Sequence, residues 1–203
     1  MNKQKVGLTL FWIGVVYMLI AAGIGGWGDP PNVVRVSQAL GRAFFFLWAF
    51  SVPIGLVLAG IGALLYVGAN GSRIAFFGVG MVLVIFLVDL VLRMYLVKTD
   101  SHWHSVFGIG GALILIMFAG LLWLWAKKRR TLEAAEQAVA DFQLVGYGCF
   151  FLASWYLCGF LGALFNEGMK AFIPRSPLPI MIYLVLGWLF ILISHYKAVQ
   201  IKE

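Results

Sequence analysis

Long apolar runs separated by short polar links dominate the pattern of this chain. A helix that crosses the hydrocarbon layer of a bilayer needs about 20 mostly apolar residues, and six runs approach or reach that length. Breaker clusters such as Gly28-Asp29-Pro30-Pro31 fall between the runs. The pattern predicts spans at about residues 6–27, 43–67, 74–97, 105–126, 143–165 and 178–195. We therefore expect an all-α polytopic membrane protein that forms a single membrane domain with short loops.

Small residues and turn residues predict how the second and third spans pack. Gly55, Ala59 and Gly62 place small side chains on one side of the second span, which permits close approach of another helix. The sequence Asn70-Gly71-Ser72-Arg73 predicts a tight turn. We therefore expect the second and third spans to be antiparallel neighbours.

Two shorter segments have the periodicity of helices outside the membrane. Residues 33–40 predict an interfacial helix that leads into the second span. Residues 131–142 predict a cytoplasmic amphipathic helix with Thr131 as its N-cap. Its narrow apolar stripe is a candidate docking surface for a partner, and its acidic residues, among them Asp141, lie off that stripe. The stripe consists of Leu132, Ala135, Val139 and Phe142.

Composition and charge support the membrane interpretation. The chain is 63% hydrophobic and only 11% charged, whereas soluble domains carry about 25% charged residues. The net charge of +7 is expected to set topology and to contact lipid headgroups, so it does not indicate nucleic-acid binding. Alternate loops carry nine Lys and Arg residues on the side of both termini and six on the other side. This bias predicts cytoplasmic termini in a prokaryotic inner membrane.

One acid and one base lie inside a predicted span. Asp89 and Arg93 are four residues apart on the third span, with the acid first, which is the favourable order for a helical ion pair. Both are expected near the outer edge of the membrane. A structural ion pair is one interpretation, and a role in ion or proton transfer is the alternative.

The loop after the third span carries a candidate metal site. Asp100, His102 and His104 alternate, so their side chains point the same way in an extended loop, and Glu167 is expected on the same side of the membrane. These residue types bind zinc or copper. A solvated loop without metal is the simpler interpretation of the same residues.

Other chemistry is disfavoured by the sequence. His102 and His104 are predicted at the outer surface and His195 at the inner surface, so no pair is placed to ligate one bis-histidine haem. Standard hydrolase, kinase and zinc-protease signatures are absent from the sequence. We predict no cofactor apart from bound lipid, and the sequence favours a non-enzymatic role.

Three function hypotheses follow. The first is a non-catalytic accessory or scaffolding subunit of a larger membrane complex, with an energy-converting respiratory or photosynthetic complex as one candidate. The second is a small transporter, channel or substrate-binding component that uses Asp89. The third is a metal site at the outer loop. Any contact with a polar molecule is expected on the outer face, which also holds Asp29, Arg35 and Arg175.

Overall fold

The structure, a computed structural model, describes residues 3–25, 51–96, 106–167 and 177–201, and these ranges contain six α-helices. The helices are α1 (Lys3–Gly25), α2 (Ser51–Ala69), α3 (Arg73–Leu96), α4 (Val106–Arg129), α5 (Ala134–Glu167) and α6 (Leu178–Gln200). The all-α prediction is confirmed for this part of the chain. Four helices hold stretches long and apolar enough to cross a membrane: Lys3–Ile20, Gly111–Arg129, Ala134–Leu161 and Leu178–Gln200. Helix α2 adds a shorter apolar stretch, Ile54–Ala69.

Five of these helices form a ring, and the sixth lies outside it. Helix α1 packs against α2 and α4, α2 packs against α3, and α5 closes the ring between α3 and α4. Helix α6 makes extended contact with α5 alone among the described helices. The largest fully buried side chains include Phe11, Met18 and Leu144 inside the ring, and Tyr183 where α6 meets α5.

Helices α1 and α2 approach each other most closely along a glycine seam. A Cβ atom at Gly7 would lie 2.8 Å from the carbonyl oxygen of Gly62, and one at Gly14 would clash with the carbonyl oxygen of Gly55. These contacts make the two helices antiparallel. They confirm the prediction that the small residues on one side of α2 permit close approach of another helix. At such an interface the two helix backbones can make van der Waals contact.

The turn between α2 and α3 is built by two residues. Gly71 has a φ of 76°, a left-handed conformation that a residue with a side chain rarely adopts. Ser72 then caps α3, because its Oγ accepts a hydrogen bond of 3.0 Å from the backbone N–H of Ala75. The predicted tight turn and the antiparallel arrangement of these neighbours are confirmed.

Helix α5 differs from the two elements that the sequence predicted for this region. The chain forms one continuous helix of 34 residues, in place of an amphipathic helix at 131–142 followed by a span at 143–165. Polarity changes near residue 143, but no proline interrupts the backbone hydrogen bonds there. The prediction of two separate helices was therefore wrong.

The N-cap prediction for this helix was also wrong. The hydroxyl of Thr131 donates to the carbonyl of Lys128 at 2.8 Å and so closes the end of α4. At the start of α5 the backbone N–H of Glu133 donates to Oε2 of Glu136 at 3.3 Å, which is one half of a capping box. The predicted interfacial helix at 33–40 lies outside the described residues.

Candidate functional site

A network of polar side chains joins the helices at one end of the ring. Nε of Arg129 on α4 lies 3.0 Å from Oδ1 of Asp141 on α5, and the side chain of Asp141 is only 4% exposed. The same guanidinium donates from Nη1 to the carbonyl oxygen of Asn70 at 2.6 Å. Arg129 therefore links the turn between α2 and α3 to the first part of α5.

Two further side chains complete this network, which we name the basic-end clamp. Nε1 of Trp125 donates to Oδ1 of Asp141 at 3.0 Å, and the guanidinium of Arg129 lies 5.8 Å from the centroid of the Trp125 ring. Nε2 of Gln4 on α1 donates to Oδ1 of Asn70 at 3.1 Å. The clamp thus consists of Gln4, Asn70, Trp125, Arg129 and Asp141, and it contacts all five helices of the ring or the turns that join them.

The clamp surrounds a buried carboxylate. A buried charge is tolerated when it is paired and its remaining lone pairs accept hydrogen bonds. Arg129 pairs with Oδ1 of Asp141, and Trp125 donates a hydrogen bond to the same oxygen. The clamp therefore joins helices α4 and α5 through the carboxylate of Asp141.

A second polar group, the tyrosine cluster, consists of Asp89, Tyr156 and Tyr183. The hydroxyl of Tyr156 on α5 donates to Oδ2 of Asp89 on α3 at 2.7 Å. The ring of Tyr183 on α6 stacks on Tyr156, with centroids 5.7 Å apart and an interplanar angle of 25°. The cluster joins α3, α5 and α6.

Tyr183 is the unusual member of this cluster. Its side chain is fully buried, and its hydroxyl has no hydrogen-bond partner among the described residues. A buried donor without a partner costs about 1–3 kcal/mol. The aromatic ring of Tyr183 therefore contributes favourable packing, whereas burial of its hydroxyl destabilises the fold.

The basic-end clamp and the tyrosine cluster contact α5 at different positions along its axis. Asp141 and Tyr156 are fifteen residues apart, which is about 22 Å of helix at 1.5 Å per residue. Between them α5 presents Leu144, Gly148 and Leu152 to the inside of the ring. The inner face of α5 is thus polar near each end and apolar between.

An apolar cavity of about 90 Å³ occupies the inside of the ring at this apolar level. All five ring helices contribute to its lining, for example through Phe11, Ala63, Leu83, Leu115 and Leu152. At the level of the tyrosine cluster the rings of Phe86 and Trp155 lie 6.3 Å apart, and both line the cavity. An unfilled cavity of this size costs roughly 2 kcal/mol at about 24 cal/mol per Å³.

The structure describes the side chain of only one member of the predicted ion pair. Asp89 and Arg93 both lie on α3, whose continuous helix keeps them one turn apart. The side chain of Arg93 lies outside the described residues, so the pairing stays a prediction. The hydrogen bond from Tyr156 is a contact of Asp89 that the sequence did not indicate.

The predicted metal site and outer face lie almost wholly beyond the described ranges. Asp100, His102 and His104 fall outside them, and Glu167 is the last residue of α5, with a side chain that is not described. Within the described residues no group of three His, Cys, Asp or Glu side chains is placed to hold a metal. Asp29, Arg35 and Arg175 likewise lie outside the described residues.

Part of the predicted docking stripe packs against other residues of this chain. Leu132 packs against the buried core, and the ring of Phe142 stacks on Phe190 of α6 with centroids 6.2 Å apart. Val139 is half-buried and Ala135 is exposed. Docking of a partner on the whole stripe would compete with these internal contacts.

Sequence reasoning missed Asp141, Tyr156 and Tyr183 as site residues. A signal for Asp141 was present, since it continues the inner face of α5 one turn before Leu144 and Val145. The tyrosines carried no such signal, because aromatic residues are frequent throughout the apolar runs.

Comparison with family models, with curated proteins and with solved structures yields no match. The function is therefore inferred from the contacts of the chain itself.

Proposed function

We propose that this chain is a non-catalytic accessory subunit of a larger integral membrane complex, and that it docks through α6. The observation that carries the proposal is the position of α6, outside the five-helix ring and in extended contact with α5 alone. A respiratory or photosynthetic complex of a prokaryotic inner membrane is a candidate setting.

The proposed placement in the membrane uses all six helices as spans. The contacts fit this placement, because the seam makes α1 and α2 antiparallel and the tight turn at Gly71 reverses the chain between α2 and α3. The clamp collects Gln4, Asn70 and Arg129 at one end of the ring. Basic residues concentrate at that end, which favours a cytoplasmic location for it and for both termini.

Helix α6 buries one face and exposes another. The buried face contacts α5 through residues such as Ile180, Tyr183 and Gly187. Large side chains spaced three or four residues apart form an outer stripe, and each is at least 60% exposed. The outer stripe consists of Met181, Val185, Trp188, Leu192 and Tyr196.

The spacing of the outer stripe is compatible with a helix of another subunit as its occupant. Side chains that recur at three and four positions along a helix form ridges, which can pack into the grooves of a second helix that crosses at a small angle. A membrane helix of another subunit matches this length and spacing. The stripe runs over sixteen residues of α6, from Met181 to Tyr196, or about 22 Å of helix.

Site-specific photocrosslinking in native membranes tests this proposal. A photoreactive residue replaces Val185 on the outer stripe, and the matched control replaces Ile13, which is 50% exposed on α1. We expect one reproducible adduct with a membrane protein from position 185 and lipid adducts from position 13. The same partner should co-purify in fixed ratio in mild detergent. Lipid adducts at both positions, together with a monomeric purified chain, would refute the proposal.

A second candidate function is a transporter or substrate-binding component that uses Asp89. The contact that favours it is the hydrogen bond that Tyr156 on α5 donates to Asp89 on α3. The carboxylate of Asp89 is half-buried. In liposomes with an internal pH dye, Asp89→Asn would abolish a proton flux carried through this carboxylate. The apolar lining of the ring does not favour such a flux.

A further inference from the structure

The cavity in the ring has the chemistry of a hydrocarbon site. The described residues that line it are apolar side chains and glycines, and among them only the indole of Trp155 carries a polar side-chain group. Water needs two to four polar partners to occupy such a place favourably. A hydrocarbon group fits the lining and water does not.

Three glycines lie on the wall of this cavity. Gly60 of α2, Gly111 of α4 and Gly148 of α5 all line the cavity. A Cβ atom at Gly60 would lie 2.6 Å from Cδ1 of Leu83, and one at Gly148 would lie 3.2 Å from Cε2 of Phe118. The neighbouring side chains therefore already fill the space next to these glycines, and the cavity is what remains between them.

The size of the cavity selects among hydrocarbon ligands. About 90 Å³ corresponds to roughly three water-sized groups, and a dry cavity that holds benzene measures about 150 Å³. Compact rings are therefore too large. The terminal methyl and last methylenes of an unbranched chain fit, and the cavity is open along part of its boundary.

We propose that this cavity binds the terminal segment of an unbranched acyl chain, while the polar head of the ligand stays outside the ring. Free fatty acids and membrane phospholipids both supply this chemistry. The binding is independent of docking through α6, because the cavity lies on the other side of α5.

Photocrosslinking of acyl chains to the full chain in lipid nanodiscs tests the proposal. One probe is a sixteen-carbon fatty acid with a diazirine near its methyl end, and a second carries the diazirine beside the carboxyl group. We expect adducts on cavity-lining residues from the first probe only. Competition by palmitate or by a phospholipid identifies which source is preferred, and either result supports the proposal.

Two variants narrow the cavity, and one provides the control. Leu152→Phe and Val82→Phe enlarge side chains of the lining, and we expect each to lower the adduct yield at least fivefold. Leu157→Phe changes an exposed position of α5 and should leave the yield unchanged. Thermal unfolding shows which variants are folded. Equal yields from a folded narrowed variant and from the control, or adducts on exposed residues alone, would overturn the proposal.

Discussion

At the scale of single residues, Asp141 shows how a charge can be part of a helical interior. Its carboxylate accepts from both Trp125 and Arg129. Removing one member of a buried pair leaves the other charge uncompensated, which costs more than replacing both members. Asp141 therefore stabilises the fold only together with its partners.

Replacing Asp141 by Asn is expected to lower the free energy of unfolding by about 3 kcal/mol, as measured by chemical denaturation in lipid–detergent micelles. Glu133→Gln is the control, because Glu133 is an exposed acid just before α5, and it should change little. The double variant Arg129→Met/Asp141→Leu should lose less than Asp141→Asn. A larger loss in the double variant would contradict this account of the clamp.

The two stacked tyrosines give opposite predictions for the same chemical change. Tyr156→Phe removes a hydrogen bond to Asp89 and should lower the free energy of unfolding by about 2 kcal/mol. Tyr183→Phe removes a buried hydroxyl without a described partner and should raise it by about 1 kcal/mol. Tyr147→Phe, at an exposed position of α5, is the control. Equal losses in both cluster variants would show that Tyr183 has a partner.

At the scale of elements, close helix contact depends on which glycines face a neighbour. Gly14 lies against the backbone of α2, whereas a Cβ atom at Gly120 of α4 would meet nothing within 4 Å. The same substitution is therefore expected to act in opposite directions at the two positions.

Gly14→Ala should lower the free energy of unfolding by about 2 kcal/mol, because the added methyl group forces the backbones of α1 and α2 apart. Gly120→Ala should raise it by about 0.5 kcal/mol, since alanine loses less conformational entropy in a helix. Denaturation of both variants under one set of conditions checks the pair. A stabilising Gly14→Ala would show that the seam is looser than these contacts indicate.

The sequence predicted the elements better than their side-chain contacts. Apolar runs and the turn at residues 70–73 indicated where helices lie, because these features depend on local chain chemistry. The clamp was not predictable in this way, since Arg129 contacts an acid twelve residues later and a carbonyl 59 residues earlier. The sequence analysis treated acidic residues as solvent-facing and so left Asp141 off the apolar stripe, although its spacing continues the inner face of α5.

At the scale of the whole molecule, the proposed orientation has a direct test. The test uses a chain in which Cys149→Ala and Cys158→Ala remove both cysteines. A single cysteine then replaces either Lys128 or Leu178. Lys128 is exposed beyond the clamp, and Leu178 is exposed at the first residue of α6. A membrane-impermeant maleimide should label position 178 in intact cells and position 128 only after lysis. The reverse pattern would place the basic end outside.

The long reach of the basic-end clamp also sets an order of events during synthesis. The turn that follows α2 emerges from the ribosome about seventy residues before Asp141 does. Until α5 has been synthesised, Arg129 can contact that turn but lacks the carboxylate of Asp141. The ring therefore cannot close before α5 has been synthesised, when most of the chain already exists.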